Sequence, residues 1–502
     1  MIRQSQIKRP GFIERHNLWT ENQKEASQKI KAVVKEQDLL FVRAAWSDQH
    51  GIVRSKWLLA QAFLSALENG MQISTGTFLF DTGGAMVFNP FVPGGSLDMP
   101  LMTGAPNLVA VPDPDTFTIV PWAKRTGFIL CDEYFQNGQA MPFSSRGILR
   151  QSLLELDQRG LECIVGLEVE LYLAKLEDPM LGLAQVGCSG KPGEPAKVSP
   201  LEHSHQYLFE SHNPEIHDLL GVVVENLVEM GLPLRSVENE GGVGQFEFTF
   251  DPIPALQAAD TMMIFRMATK QICRQQGYIA SFMCRPGLEG CFSNGWHLHQ
   301  SLVDKTTGEN AFMSANSETL ISDLGKHFVG GLLKHANAAC VFTNPTINCY
   351  KRFRPYSLAP DRAGWGLENR GVMIRLQGGF DDPTTHIENR VGEPAANPYL
   401  YMASQLICGL DGVDHKLDPG SPTEEPYTTE NSLLPKTLQE AISYLSESKL
   451  FSQKMGQQFI NFIIKIKHSE INRFLESVTD QPPEEYLTQV TNWEQREYFE
   501  LF

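Results

Sequence analysis

Four short segments concentrate the side chains that could do chemistry. Glu168-Val169-Glu170 lies in the apolar run of residues 163–173, where the two-residue period of a strand puts both carboxylates on one face and Val169, Leu171 and Leu173 on the other. Glu247 sits in a similar run, GQFEFTF, preceded by Glu238, Glu240 and the glycines 241, 242 and 244, a turn able to fold Glu240 back beside Glu247. His297-Leu298-His299 alternates in the same way after the turn-like Ser293-Asn294-Gly295. A cationic group follows: Lys351, Arg352, Arg370, Arg375, and Arg390 within Glu388-Asn389-Arg390.

Neighbouring carboxylates on one sheet face repel and raise each other's pKa unless cations neutralise them. Metal ligation and a half-exposed sheet face both account for Glu168 and Glu170, and hydrogen-bonded core positions compete with ligation for His297 and His299. Hard oxygen donors with one or two imidazoles suit Mg²⁺ or Mn²⁺, and no Cys-x-x-Cys pair offers thiolates for zinc. Arg370 and Arg375 flank the apolar GVMI, and guanidinium groups ending a buried strand want phosphate or carboxylate partners. Carboxylates, metal and arginines together point to phosphoryl transfer. The chain has no G-x-x-x-x-G-K-[ST] loop, so this is not a P-loop enzyme.

These residues need elements to position them. Up to residue 142 the pattern is strand-rich: a helix at 26–37, strands in FVRAAWSDQHGIVRSKWL, a helix in LLAQAFLSALENG, a strand–turn–strand in TGTFLFDTGGAMVF, and strands in LVAVPDPDTFTIVPW and GFILCDEYFQNGQAMPF. From Ser144 the order becomes helix then carboxylate-bearing strand. SSRGILRQSLLELDQRG precedes the run with Glu168; IHDLLGVVVENLVEMG precedes GQFEFTF; ALQAADTMMIFRMATKQICRQQG precedes the histidine strand. Residues 182–200 read as a loop or hairpin insertion, FVGGLLKHANAACVF as one helix, and the tail from Leu434 as amphipathic helices that cover the outside or join oligomer contacts.

With 502 residues, 42% apolar and 20% charged, the chain reads as an ordinary globular protein of two unequal domains. A formal charge of -17 argues against nucleic acid as the main partner. Nine cysteines, an odd number, do not form a secreted disulfide framework. The basic start MIRQSQIKRPGF runs into a polar stretch where a signal peptide needs an apolar one, and no run is long enough to cross a membrane, so a cytoplasmic enzyme is expected.

The blocks GLEVELYL, ENEGGVGQFEF, NGWHLHQSL, FTNPTINCYKRFRP, WGLENRGVMIRL and HIENRVGEPAANPYLYMASQLICGLDGV resemble the glutamine synthetase family in content and order, through nearly the whole chain. Within it the likeness is greater to the γ-glutamyl-amine ligases, including γ-glutamylanilide synthetases. The resemblance implies an α+β fold: an N-terminal β-grasp-like domain, 1–142, and a large catalytic α/β domain with a curved antiparallel sheet, 143–502. It implies ATP, Mg²⁺ or alternatively Mn²⁺, glutamate and an amine as ligands, and hexameric rings, commonly dodecamers, with shared active sites. Glu170, Glu240 and Glu247 would hold one metal, and Glu168, His297 and Glu388 the other. His299 and Ser301 would lie near the nucleotide, Arg352 and Arg390 would clamp glutamate, and Arg370 and Arg375 would stabilise the transferring phosphoryl group. Asp81 would stand near the amine, although its turn setting alone suits a structural Asx-turn.

The family places a flap glutamate six residues after the arginine of its KR pair; counting from Arg352 reaches Leu358. An isobutyl group neither holds ammonium nor accepts its proton. The expectation is therefore a ligase for an aromatic or compact apolar amine, with Leu358 lining the amine site and Trp296 and Phe292 either adding aromatic area beside His297 or packing in the core; the alternatives are an ammonia-dependent glutamine synthetase or a catalytically silent ring-forming homologue. His386 stands where many members have an arginine that contacts the nucleotide.

Overall fold

The computed structural model describes residues 10–502 except 94, 96–98, 179, 181 and 203–205. The basic stretch 1–9 lies outside the described residues. The described residues divide into two compact units, one drawn from 10–48, 53–78 and 89–147, the other from 49–52, 79–88 and 148–502.

The smaller unit is a six-stranded sheet built from β1 (Phe41–Ser47), β2 (Val53–Leu59), β3 (Met71–Ser74), β4 (Asn107–Pro112), β5 (Thr118–Ile119) and β6 (Thr126–Tyr134). Their order is β2-β1-β6-β4-β3 with β5 against β6, and only β1 and β6 run parallel. The helix Glu21–Glu36 begins in a capping box between Thr20 and Gln23, which satisfies two of the amides a helix start leaves open.

The larger unit is organised by one 16-residue strand, β7 (Leu161–Leu176). Around it stand β8 (Val198–Pro200), β9 (Leu234–Asn239), β10 (Gln245–Phe250), β11 (Ile253–Pro254), β12 (Tyr278–Ser281), β13 (Trp296–Asp304), β14 (Trp365–Leu367), β15 (Ile374–Gln377) and β16 (His386–Asn389). The order is β14-β15-β16-β13-β7-β10-β9, with β8, β11 and β12 also on β7. Only β14 and β15 pair in parallel. Period-2 alternation gives the sheet two different faces. Val165, Leu167, Val169 and Leu171 are buried on one, toward the helix Ala255–Gln275, whose Phe265 ring lies 5.1 Å from both Phe248 and Phe250 and 5.5 Å from Phe282. The other face carries the charged residues.

Three local expectations change. Residues 75–88 form a 3₁₀ turn, Thr75–Phe78, and one isolated bridge, Phe80 to Met86, instead of two strands, because the Asp81 carboxylate accepts from the amides of Gly83 (3.1 Å) and Ala85 (2.9 Å) and curls the backbone. The helix expected over 328–342 is two helices, Asp323–Lys334 and Ala336–Thr343, separated at His335. The insertion 182–200 contains a short helix, Leu183–Val186, as well as β8.

Candidate active site

Register places the charged side chains in rungs across the sheet. Glu238, Glu247 and Glu170 are direct neighbours on β9, β10 and β7. Glu168 on β7 faces His297 on β13, and His299, Glu388 and Arg375 continue across β13, β16 and β15. Paired residues in an antiparallel ladder project to the same side, so this register puts acidic and imidazole groups on one surface.

His297 Nδ1 lies 2.5 Å from Glu168 Oε1 and 3.5 Å from Glu388 Oε1, and His299 Nε2 lies 3.1 Å from Glu168 Oε2. Among the described residues, two groups of ligand atoms fall within 4.8 Å of one another: Glu168, Glu247 and His297; and Glu168, His299 and Glu388. Glu168 belongs to both. These groupings differ from those expected. His297 is drawn onto Glu168, while Glu170 instead accepts a hydrogen bond from Gln245 Nε2 at 2.9 Å and the Glu240 amide donates to the Gln245 carbonyl.

The electrostatics divide the same way. Burial and the charges of Glu168, Glu170 and Glu240 push the Glu247 carboxyl far above the usual range. Burial and Glu240 raise Glu170 to about 8; burial, with Glu238 and Glu168, raises Glu240 to about 6. Burial alone would raise Glu168, but hydrogen bonds from His297 and His299 hold it well below that range. Glu388 is fully buried, yet His297 and Arg390 keep its carboxyl low. Raised carboxyls packed against imidazoles are the electrostatic setting that a divalent cation relieves, and the donor set fits Mg²⁺ or Mn²⁺.

Arginines rim this surface. Arg375 donates to Glu388 at 3.1 Å and also reaches Glu368; Arg390 donates to Glu388 and, through Nε, to the Arg370 carbonyl at 3.0 Å. Arg352 Nη1 donates to the carbonyls of Val391 and Gly392, both at 3.1 Å. Arg370 is exposed. Lys351 is engaged elsewhere, in a buried ion pair with Glu494. Gly295 closes the centre: a Cβ there would stand 2.7 Å from His297 Nε2, 2.8 Å from Arg352 Nη2 and 3.0 Å from Glu170 Oε1.

Other expected site residues lie at different places. Ser301, two positions along β13 from His299, is half-buried on the same face. Trp296 is on the opposite face, fully buried with its ring 4.9 Å from Tyr401, because the alternation that aims His297 outward sends its neighbour into the core. Both Asp81 oxygens are occupied within the chain, Oδ1 by the two turn amides and Oδ2 by Ser469 Oγ (2.8 Å) and Arg473 Nε (2.9 Å). Leu358 is 69% exposed, and its carbonyl accepts from Arg390 Nη2 at 3.4 Å.

Two contributors, Gln245 and Tyr207, are not among the residues the sequence points to, and His386 is fixed by its neighbours. Gln245 shares a face with Glu247 by strand period and bridges Glu170 to Asn294 (2.9 Å to each), a signal the alternation already held. Burial, and then the charges of Glu240, Glu238 and Glu247, raise the Tyr207 hydroxyl, and nothing in its own segment announces this. His386 Nδ1 donates to the Thr384 carbonyl (2.6 Å), leaving Nε2 3.0 Å from His299 Nδ1.

Residues 142–486 match the glutamine synthetase catalytic domain, more than half of the chain. The chain belongs to the glutamine synthetase family. It is a carbon–nitrogen ligase of a family that uses ATP and divalent metal ions. It is 41% identical over 495 residues to a γ-glutamylanilide synthase from an Acinetobacter species, covering 98% of this chain and 99% of that one. A glutamate–isopropylamine ligase from a Pseudomonas species is 28% identical, covering 96% of this chain and 100% of the relative. A solved structure titled as a GmaS/ADP complex superposes with a TM-score of 0.73 at 25% identity, covering 93% of this chain and 98% of the other. The expected glutamine synthetase fold is thereby established.

Proposed function

We propose that this ligase joins the γ-carboxylate of glutamate to a neutral aromatic amine, giving a γ-glutamylamide, ADP and phosphate. One observation carries the choice of amine: Leu358, not a carboxylate, occupies the loop beside Arg390, in a chain 41% identical to a γ-glutamylanilide synthase. The saturation of Asp81 by four donors within the chain supports the same reading, because it leaves that carboxylate no lone pair readily offered to an ammonium ion.

Arg352 and Arg390 hold glutamate, and the γ-carboxylate attacks the terminal phosphorus of ATP in line. Arg370 and Arg375 oppose charge on the equatorial oxygens as γ-glutamyl phosphate and ADP form. The amine nitrogen then attacks the acyl carbon, phosphate leaves, and the nitrogen releases a proton. Glu168, Glu170, Glu240, Glu247, His297 and Glu388 would hold two Mg²⁺ ions, which when bound would supply neutralising charge for phosphoryl transfer. His299, Ser301 and His386 face the nucleotide. The N-terminal domain, 1–142, is β-grasp-like and the catalytic domain is 143–502. The protein works in the cytoplasm as hexameric rings, stacked in pairs, with sites shared between neighbours. No helix among the described residues is long and apolar enough to cross a membrane.

The test is phosphate release with ATP, Mg²⁺ and glutamate against ammonium, isopropylamine, a diamine and aniline, each product weighed by mass spectrometry. Aniline should give the highest kcat/KM. A highest value for ammonium, or no turnover with any amine, overturns the reading.

A further inference from the structure

The loop of residues 353–361 puts two bulky residues in the left-handed region, Tyr356 at φ 62° and Leu358 at φ 58°. Side chains with a Cβ avoid this region, so surrounding contacts must hold them there. Three do. Ser357 Oγ donates to the Arg354 carbonyl at 2.5 Å, Arg390 Nη2 to the Leu358 carbonyl at 3.4 Å, and Tyr427 Oη to the Ala359 carbonyl at 3.2 Å. Consecutive carbonyls are thus gripped by the proposed glutamate-binding arginine and by a tyrosine from a separate segment, after the helix Pro398–Asp414.

The consequence is an outward apolar lip. Tyr356 is 80% exposed and Leu358 69%, while Ala359 between the tethers is buried. The Tyr427 ring meets the Tyr356 ring at a centroid distance of 5.0 Å and 50°. Polar contacts hold the backbone of this loop, leaving two rings and an isobutyl group beside Arg390. An aromatic amine has an uncharged nitrogen and an apolar ring that such a surface covers, whereas ammonium has no ring to bury and gains only a weak cation–π contact at an exposed site.

We propose that Tyr427, Tyr356 and Leu358 form the subsite that receives the aromatic ring of the amine, with Tyr427 also the positioning residue that sets the loop. This rests on the aromatic-amine reading above. One well-placed ring contact is worth about two- to tenfold in kcat/KM.

The experiment measures kcat/KM for aniline and for ammonium, and KM for glutamate, at saturating ATP, in the full-length wild type, Tyr356→Ala, Tyr427→Phe and Tyr427→Ala. Tyr356→Ala truncates a mostly exposed side chain, so its fold is expected to survive. It should lower the aniline-to-ammonium ratio of kcat/KM several-fold through the KM for aniline, with KM for glutamate unchanged. Tyr427→Ala should lower that ratio about tenfold or more, and Tyr427→Phe, which keeps the ring, should recover most of the loss. Parallel falls for both amines in Tyr356→Ala and Tyr427→Ala, or a ratio unchanged in both, overturn the subsite while leaving the aromatic-amine reading intact. A wild type that does not use aniline overturns both.

Discussion

Gly295→Ala isolates the claim that three groups converge on one reacting centre. Gly295 is not in the left-handed region, so its backbone accepts alanine, and the substitution would ordinarily stabilise by about 0.4–1 kcal/mol through the unfolded chain. Here the added methyl carbon would sit 2.7 Å from His297 Nε2, 2.8 Å from Arg352 Nη2 and 3.0 Å from Glu170 Oε1, where ordinary contact begins at 3.4 Å. The two nitrogens must therefore retreat by about 0.6–0.7 Å and the Glu170 oxygen by about 0.4 Å. His297 is confined by Glu168 and Glu388 and Arg352 by two carbonyls, so little slack is free. Overpacking of this kind costs about 1–3 kcal/mol, a fall of a few degrees in Tm. The larger effect should be kinetic, because a displacement of about 1 Å at a reacting centre lowers rates about a hundredfold. The assays are amine-dependent phosphate release for kcat/KM, a circular dichroism melt, and electron paramagnetic resonance to count bound Mn²⁺. A kcat/KM within threefold of wild type, with Mn²⁺ binding unchanged, would show that His297, Arg352 and Glu170 do not meet where the chemistry occurs.

Leu358→Glu should lower kcat/KM for aniline and raise it for ammonium, shifting their ratio about tenfold to a hundredfold from the lost apolar contact alone; an unchanged ratio refutes the role of this side chain. Mg²⁺ at about 100 times its Kd should stabilise the protein by about 2.7 kcal/mol over a chelator-treated sample, read as a thermal shift, and Glu247→Gln should remove most of that shift along with the activity. The chelator-treated protein should be less stable at pH 8 than at pH 6. Glu170, raised to about 8, stays protonated in the fold while the unfolded carboxyl ionises, so stability falls as pH rises through that window; a flat profile counts against the carboxylate cluster. Burial likewise raises Glu133 to about 8, with Ser144 Oγ hydrogen-bonded to it at 2.5 Å. Its contribution is full below about pH 4.5 and is lost toward pH 8, so Glu133→Gln should flatten urea-melt stability between pH 5 and 8 by a few kcal/mol. Equal pH slopes in wild type and variant would refute it.

What was legible in the sequence was whatever a single strand encodes. Alternation alone aims Glu168 and Glu170, Glu247, and His297 and His299 away from the apolar face, and the register then makes neighbours of them. The same rule, applied one residue earlier, already sends Trp296 into the core, so of the two roles open to it, the place beside His297 asked for a face its strand denies it. What was not legible needs partners from far along the chain. LRSVEN has no clean alternation, so nothing local shows that β9 brings Glu238 opposite Glu247. Asp81 in FLFDTGG carries the marks of a turn residue, and its turn amides were foreseeable; Arg473, 392 positions on, was not.

The amine end of the site makes this limit sharper. Counting from Arg352 located Leu358, and the chemistry of an isobutyl group was enough to question ammonium as the nucleophile. The count could not say which way the side chain points, because that depends on two left-handed residues held against their intrinsic preference by donors 32 and 68 residues away. Each tether is a single hydrogen bond, worth only about 1 kcal/mol net, so the lip is a conformation that few substitutions would be needed to undo. A specificity surface built this way can diverge between relatives while the carboxylate and histidine strands remain fixed, since their placement is enforced by whole ladders of backbone hydrogen bonds. The groups proposed for metal binding and phosphoryl transfer are then expected to tolerate little change, and the choice of amine to turn on Leu358 and the two tyrosines around it.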